Sequence, residues 1–248
     1  MKLIQRHGYI EFLRRNRERS IIKVVSGIRR CGKSTLFRLF KDELLAEGVK
    51  PEQIISINFE ELEYEPLREY HRLYQYILNQ MQPNQMNYIF LDEIQHVDQF
   101  HRVVDSLFVK ENTDIYITGS NAYFMSSDIA TLLTGRYVEI QMLPLSFAEF
   151  YYSKYEEQQY SLIPAYEAYL RESSFPYTQQ LGGEDFDIQE YLRGLYNTLL
   201  LHDVVARLKI NDVTMLQDIV RYIMANVGSL LSPNKIAKSL VSAGRKID

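Results

Sequence analysis

The chain has 248 residues, one cysteine and a formal net charge of −4 at pH 7. This length exceeds that of a usual single domain, so one large domain with an appended smaller part is expected. The acidic balance argues against a uniformly basic nucleic-acid-binding protein, and a lone cysteine excludes an intramolecular disulfide and a cysteine-based zinc site. Charges interrupt the amino terminus too early for a signal peptide, and no apolar run approaches the roughly 20 residues that a membrane helix needs. A cytoplasmic protein that does not enter a membrane is therefore predicted.

Short apolar segments alternate with amphipathic ones up to residue 145. The strand-like segments are 21–27, 53–60, 86–93, 114–121 and 137–145, and the helix-like segments are 34–46, 67–81 and 97–110. Segments that are continuously apolar are typical of parallel strands buried on both faces. The alternation predicts a parallel three-layer α/β domain.

Helical patterns dominate after residue 145. Ser146 and Glu149 have the spacing of a capping box, and the same spacing recurs at Asp187 and Glu190. Cap residues are therefore predicted at Ser146, Asp187, Asp212 and Ser232.

Residues 27–34 read Gly-x-x-x-x-Gly-Lys-Ser between a predicted strand and a predicted helix, which is the context of a phosphate-binding loop. Glycines let successive N–H groups turn toward phosphate oxygens, and the helix adds the positive end of its dipole. Lys33 is expected to reach the β- and γ-phosphates, Ser34 to hold Mg²⁺, and Thr35 to touch the α-phosphate. The residues predicted to contact nucleotide are Gly27, Ile28, Arg29, Arg30, Cys31, Gly32, Lys33, Ser34, Thr35 and Ser120.

The single cysteine, Cys31, lies inside this loop. Its position near Lys33 and a helix amino terminus favours a thiol that ionises more readily than usual. An ordinary loop thiol is the simpler interpretation and the one we favour.

A second motif, YIFLDEIQ, ends an apolar strand on two carboxylates. Open α/β sheets bind ligands at the carboxyl ends of their strands. Asp92 is expected to hold Mg²⁺, through water, and Glu93, facing the other way, to orient an attacking water as general base. A solvated acidic turn is the alternative for both residues.

Three further polar residues are candidates for the same chemistry. Ser120 and Asn121 end the next strand, where they could meet the γ-phosphate or the water, although a turn built from Gly, Ser and Asn explains them equally well. Arg136 precedes the fifth strand and is a candidate to bind transferring phosphoryl oxygens, with a surface salt bridge as the alternative.

The segments GIRRCGKST, IFLDEIQ, ITGSN and LTGRYVEIQMLPLSFAEF, with the later Phe-Pro at 175–176, resemble a family of uncharacterised prokaryotic AAA-superfamily P-loop ATPases. The resemblance implies a five-stranded parallel sheet in the order 5-1-4-3-2. It also implies an ATPase core over 1–145, a helical lid over 146–211 and the opening of a winged helix over 212–248. Nucleic-acid binding through a winged helix completed outside this chain rests on analogy alone.

These features together predict Mg²⁺-dependent binding and hydrolysis of ATP, coupled to an unknown substrate or protein partner. An ATP-gated switch or DNA-associated binding module with little turnover is the first alternative. A small-molecule kinase is the second, although Glu93 beside Asp92 favours water as the acceptor. A homo-oligomer is expected if Arg136 serves a neighbouring chain.

Overall fold

The computed structural model describes residues 4–120, 133, 135–155, 160–181, 185–199, 204–205, 209–242 and 244. Contacts divide the chain into two compact units, residues 1–188 and 189–248. The finer division into core, lid and partial winged helix stays a prediction. Asn121 lies outside the described residues.

The first unit alternates strands and helices in the predicted order. Its strands are β1 (Ile22–Gly27), β2 (Ile54–Asn58), β3 (Asn87–Asp92), β4 (Thr113–Ser120) and β5 (Tyr137–Met142). Its helices are α1 (His7–Asn16), α2 (Lys33–Ala46), α3 (Tyr70–Gln80), α4 (Phe100–Phe108), α5 (Phe147–Tyr155) and α6 (Leu162–Glu172). Short 3₁₀ helices span Pro51–Gln53, Leu62–Arg68, Ile94–His96 and Pro176–Gln180.

Helix α7 (Asp185–Thr198) begins in the first unit and runs into the second, which also contains α8 (Val213–Ala225) and α9 (Pro233–Ser242). No helix in the described part of the chain combines the length and apolarity needed to cross a bilayer.

The five strands form one sheet in which every pairing is parallel. Their order, β2-β3-β4-β1-β5, is the predicted 5-1-4-3-2 read from the other edge, so the prediction is confirmed. Gly27, at the end of β1, is aligned with Ser120 of β4 and Met142 of β5. The carboxyl ends of β1, β4 and β5 therefore meet at one edge of the sheet.

Helices cover both faces of this sheet, which makes the domain three layers thick. On one face, α1 and α2 bury an aromatic cluster in which the rings of Phe90 and Tyr116 stack with centroids 4.7 Å apart. On the other face, α3 and α4 cover an aliphatic core that includes Leu73 and Val104. The central strands β1, β3 and β4 are buried on both faces, which accounts for their apolar segments. The edge strands β2 and β5 are only partly buried, so the expectation of burial on both faces is wrong for them.

Three of the four predicted helix caps are confirmed. The Ser146 and Glu149 side chains hydrogen-bond each other's backbone N–H groups, Asp212 accepts from the N–H of Met215, and the Ser232 hydroxyl accepts from that of Lys235. The fourth prediction is wrong, because Asp187 lies within α7, which is already helical at Asp185.

A buried ion pair lies near the amino ends of β1 and β4. Lys23 and Asp114 have fully buried side chains that contact each other directly. The Lys23 ammonium also donates to the Arg19 carbonyl (3.0 Å), and Asp114 accepts from the Glu18 N–H (2.8 Å) and the Tyr116 hydroxyl (2.6 Å). Burial lowers the pKa of Lys23, against the attraction of Asp114.

Replacing Lys23 by methionine should destabilise the domain strongly, because Asp114 would then be buried without a cation. We expect Lys23→Met to lower the free energy of unfolding by about 3–5 kcal/mol in urea denaturation. Arg14→Gln is the control, because it breaks a pair with Glu43 whose arginine is 51% exposed, and it should cost at most about 1 kcal/mol. Equal small losses in both variants would contradict the prediction.

Candidate functional site

The loop between β1 and α2 needs glycine at both of its ends. A Cβ at Gly27 would lie 2.4 Å from the Met142 carbonyl oxygen and 3.0 Å from the Cys31 sulfur, so no other residue fits without a shift of the backbone. Gly32 has φ of 105°, in the left-handed region that disfavours side chains. After it, the first N–H groups of α2 have no acceptor within the helix and are free to face a ligand.

Lys33 lies beneath this loop and reaches the end of β3. Its ammonium donates to the carbonyls of Gly27 (3.2 Å) and Ile28 (3.3 Å) and lies 3.1 Å from Glu93 Oε1. Lys33 and Glu93 are only 4% and 6% exposed. An arriving phosphate would therefore compete with Glu93 for the lysine.

Asp92, the last residue of β3, is brought together with Ser34. The Asp92 carboxylate accepts a hydrogen bond from the Thr118 hydroxyl. Burial raises the pKa of Asp92, and the Ser34 and Thr118 hydroxyls oppose the rise. Because Ser34 is exposed to solvent, its hydroxyl and the carboxylate offer two oxygen ligands of the kind that Mg²⁺ prefers.

The backbone turns away from the strand direction at Glu93, which has a left-handed conformation with φ of 54°. Its N–H donates to Thr118 Oγ1 (2.8 Å), and its Oε2 accepts from Gln95 Nε2 (2.5 Å). The two carboxylates do face different partners as predicted. The cause is this turn, because β3 has already ended at Asp92 and strand alternation no longer applies.

Ser120 ends β4 beside Gly27 and is 1% exposed. Its hydroxyl has no hydrogen-bond partner among the described residues. A buried hydroxyl left unpaired costs about 1–3 kcal/mol, so a polar group at this position would relieve a real penalty. Ser120 therefore fits the predicted contact to a phosphate oxygen or water.

The remaining loop residues differ in exposure. Arg29 is half-buried, with its guanidinium 3.6 Å from Glu60 Oε1, whereas Arg30 is exposed and has a positive φ of 66°. Ile28 and Thr35 are half-buried on either side of the turn.

Cys31 is completely buried, in the aromatic core under the loop. Burial raises the pKa of its thiol and outweighs the opposing effect of Lys33 and Arg6. The expectation of a readily ionised thiol is therefore wrong, because a desolvated thiolate is disfavoured more than the nearby cations favour it.

Arg136 does not join the other candidates. It precedes β5, and its carbonyl accepts from the N–H of Ile22, the first residue of β1. Its guanidinium lies 5.6 Å from the centre of the Phe108 ring. The six-residue strand between this point and the phosphate loop spans about 20 Å at the usual rise, so Arg136 is at the opposite edge of the sheet from Lys33 of the same chain.

Sequence reasoning missed two residues that contact the acidic pair. Thr118 bonds both Asp92 and the Glu93 N–H, and the predicted adjacency of the third and fourth strands was the signal that could have located it. Gln95 holds Glu93 across a short 3₁₀ turn, Ile94–His96, and no pattern in the sequence indicates that contact.

A family model described as an AAA domain, AAA_14, matches residues 19–151, a range that contains the loop, the acidic pair and Arg136. The chain belongs to this AAA family. This AAA-family chain is 37% identical over 243 residues to an uncharacterized protein of Haemophilus influenzae, covering 97% of itself and 60% of that protein. It is 32% identical over 243 residues to an uncharacterized protein of Methanocaldococcus jannaschii, covering 91% of itself and 51% of that protein.

The AAA fold is also shared with a solved structure. The Walker-type ATPase of Pyrococcus abyssi superposes with a TM-score of 0.63 at 18% identity, over 99% of this chain and 85% of that one. The chain is thus an AAA domain by family and shares the fold of that structure. It spans 60% and 51% of the two curated relatives it matches.

The close approach of Gly27 to Met142 predicts the effect of adding one methyl group. We expect Gly27→Ala to cost about 1–3 kcal/mol in the free energy of unfolding, because the loop or the end of β5 must move. Gly8→Ala is the matched control: a Cβ on that residue of α1 meets nothing within 4 Å, so the change should be neutral or stabilising. Equal unfolding midpoints for the two variants would show that the site absorbs the methyl group freely.

Proposed function

We propose that this AAA domain binds ATP with Mg²⁺ and hydrolyses it to ADP and phosphate. The observation that carries the proposal is the convergence of Lys33, Ser34, Asp92 and Glu93 at one edge of the sheet, under a glycine-bounded loop. Membership of the AAA family supports the same conclusion.

The residues present suit both the nucleotide and the metal. The loop has backbone N–H groups for phosphate oxygens, and beside it lies the Ser120 hydroxyl, which has no hydrogen-bond partner in the described part of the chain. Ser34 and Asp92 would hold Mg²⁺, which when bound neutralises charge on the β- and γ-phosphate oxygens. Asn121, next in the chain, stays a predicted contact to the water or γ-phosphate.

The side chains then divide the reaction between them. Lys33 exchanges the Glu93 carboxylate for phosphate oxygens, which frees Glu93 from its ion pair. Gln95 keeps its hydrogen bond to Glu93 and so limits where the freed carboxylate can go. Glu93 then accepts a proton from the water that attacks the γ-phosphorus.

A switch with little turnover is the second candidate, and one observation favours it. Both carboxylate oxygens of Glu93 are occupied, one by Lys33 and the other by Gln95. If ATP binding did not release Glu93, the domain would hold nucleotide without cleaving it. The proposal also includes three properties of the whole protein. These are a cytoplasmic location, an unknown protein partner and nucleic acid bound through a winged helix that is completed outside this chain.

Glu93→Gln tests hydrolysis separately from binding. The variant keeps the size of the side chain and loses the base, so ATP should still bind while turnover falls by about 100-fold or more. Equilibrium binding of ATP and release of inorganic phosphate measure the two steps. Lys33→Ala is the comparison and should lose both. Wild-type turnover in Glu93→Gln would exclude Glu93 as the general base. ATP binding without turnover in the unaltered protein would support the switch instead.

Arg136 can act only on a neighbouring chain, because it lies at the far edge of its own sheet. We expect Arg136→Ala to keep ATP affinity within a few-fold and to lower turnover by at least about tenfold, as loss of an arginine that binds the transferring phosphoryl group would. Mixing Arg136→Ala protein with Lys33→Ala protein should restore part of the activity, since one pairing combines an intact loop with an intact arginine. Wild-type turnover in Arg136→Ala alone would make it a surface residue.

A further inference from the structure

A buried arginine outside the site connects the phosphate loop to the first helix that follows the sheet. Arg6 precedes α1 and is 4% exposed. Its guanidinium donates to both carboxylate oxygens of Glu149 (2.7 and 2.9 Å) and to the carbonyls of Leu143 (2.8 Å), Pro144 (3.3 Å) and Cys31 (3.3 Å). We call these five residues the Arg6 cluster.

The cluster uses the planar fork of arginine in a way that lysine cannot reproduce. One edge of the guanidinium forms a two-point contact with Glu149, and the other donors satisfy main-chain carbonyls from two separate segments. Burial opposes ionisation of Glu149, but hydrogen bonds from Arg6 and the Ser146 N–H lower its pKa on balance. Glu149 is therefore charged, and both of its carboxylate oxygens accept hydrogen bonds. In this way it anchors the start of α5.

The contact to Cys31 determines the direction of the next N–H group. In a trans peptide the C=O and N–H point to opposite sides. Holding the Cys31 carbonyl toward Arg6 therefore turns the N–H of Gly32 away from Arg6. A Cβ at Gly32 would lie 3.5 Å from Met142 Cε and 4.0 Å from Pro176 Cγ, so the same peptide is also flanked by β5 and the 3₁₀ helix at 176–180.

We propose that Arg6 is a positioning residue for the phosphate loop: it fixes the peptide between Cys31 and Gly32 so that the Gly32 N–H faces bound phosphate, and it links that peptide to α5 through Glu149. Movement of the loop and movement of the start of α5 are then coupled through one guanidinium. The part of this proposal that concerns phosphate rests on the proposed ATP-binding function.

The chain's one cysteine reports on the loop without any nucleotide. Because Cys31 is fully buried below the loop, its alkylation requires the loop to open. We expect Arg6→Gln and Glu149→Gln each to speed alkylation of Cys31 by at least about tenfold, because each breaks the charged pair. The double variant should match the single ones, as expected for two partners of one interaction.

Repeating the measurement at low urea concentrations separates positioning from general stabilisation. Local opening of the loop exposes little surface, so the faster alkylation should hardly depend on urea. A rate that rises with the urea dependence of global unfolding would overturn the proposal, as would a wild-type rate in Arg6→Gln.

Two control variants match the changes made. Arg14→Gln removes another two-point arginine–glutamate pair of α1, with Glu43, which does not touch the loop. Ser146→Ala removes the capping hydroxyl of α5, which accepts from the Glu149 N–H and donates to Glu149 Oε2 (3.0 Å), but it removes neither of the two bonds from Arg6 to Glu149. Both should leave the alkylation rate near the wild-type value. Equal acceleration in either control would show that the effect is not specific to the Arg6 cluster.

Nucleotide binding provides the second readout. Arg6→Gln should weaken ATP binding by at least about tenfold with kcat nearly unchanged, because loop N–H groups contact phosphate in both the bound and the transition state. Arg6→Lys should not restore affinity, and full rescue by lysine would show that charge alone matters. If the unaltered protein binds no ATP, the proposed function fails, whereas the alkylation experiment still decides whether Arg6 fixes the loop.

Discussion

The parallel pairing of β1 with β4 and with β5 determines where the phosphate loop lies. This pairing brings the end of β1 against the Met142 carbonyl so closely that only glycine fits at position 27. From that point the chain must turn under tight steric limits into α2, which carries Lys33 back beneath the loop. Because β4 also joins β1 to β3, the acidic pair arrives at the same edge of the sheet.

The buried charges of the site have partners within the protein. Lys33 and Glu93 form an ion pair in a buried place where an unpaired charge would be costly, and Asp92 is stabilised by the hydroxyls of Ser34 and Thr118 and by the charge of Lys33. Under the proposed function, a ligand that carries phosphate and a divalent ion would replace both sets of partners at once. The lysine would gain phosphate oxygens, and the carboxylates would gain the ion or the water. Such an exchange would leave no buried charge without a partner.

The strands and the loop could be predicted because their signals are local: short apolar segments, two glycines at fixed spacing and a carboxylate pair after a strand. The strand order comes only from the family resemblance. Thr118 and Arg6 carry no such signal, since their partners lie 26 and 143 residues away and depend on tertiary packing. Sequence proximity is a poor guide in two cases. Cys31 is near a cation along the chain, but its burial has the larger effect on the thiol. Arg136 is close to a site strand in sequence and at the wrong end of it in space.

The strand order has a consequence for how the chain is made. β1 emerges first among the strands, yet its neighbours in the sheet are the last two, with Lys23 aligned to Tyr116 and Val138. The backbone N–H and C=O groups of β1 therefore have no strand partner, and the phosphate loop has no support, until most of the first unit has left the ribosome. Long-range parallel pairing of this kind is slow and exposes strand edges to other chains. Synthesis is thus the stage at which β1 is most exposed to pairing with other chains.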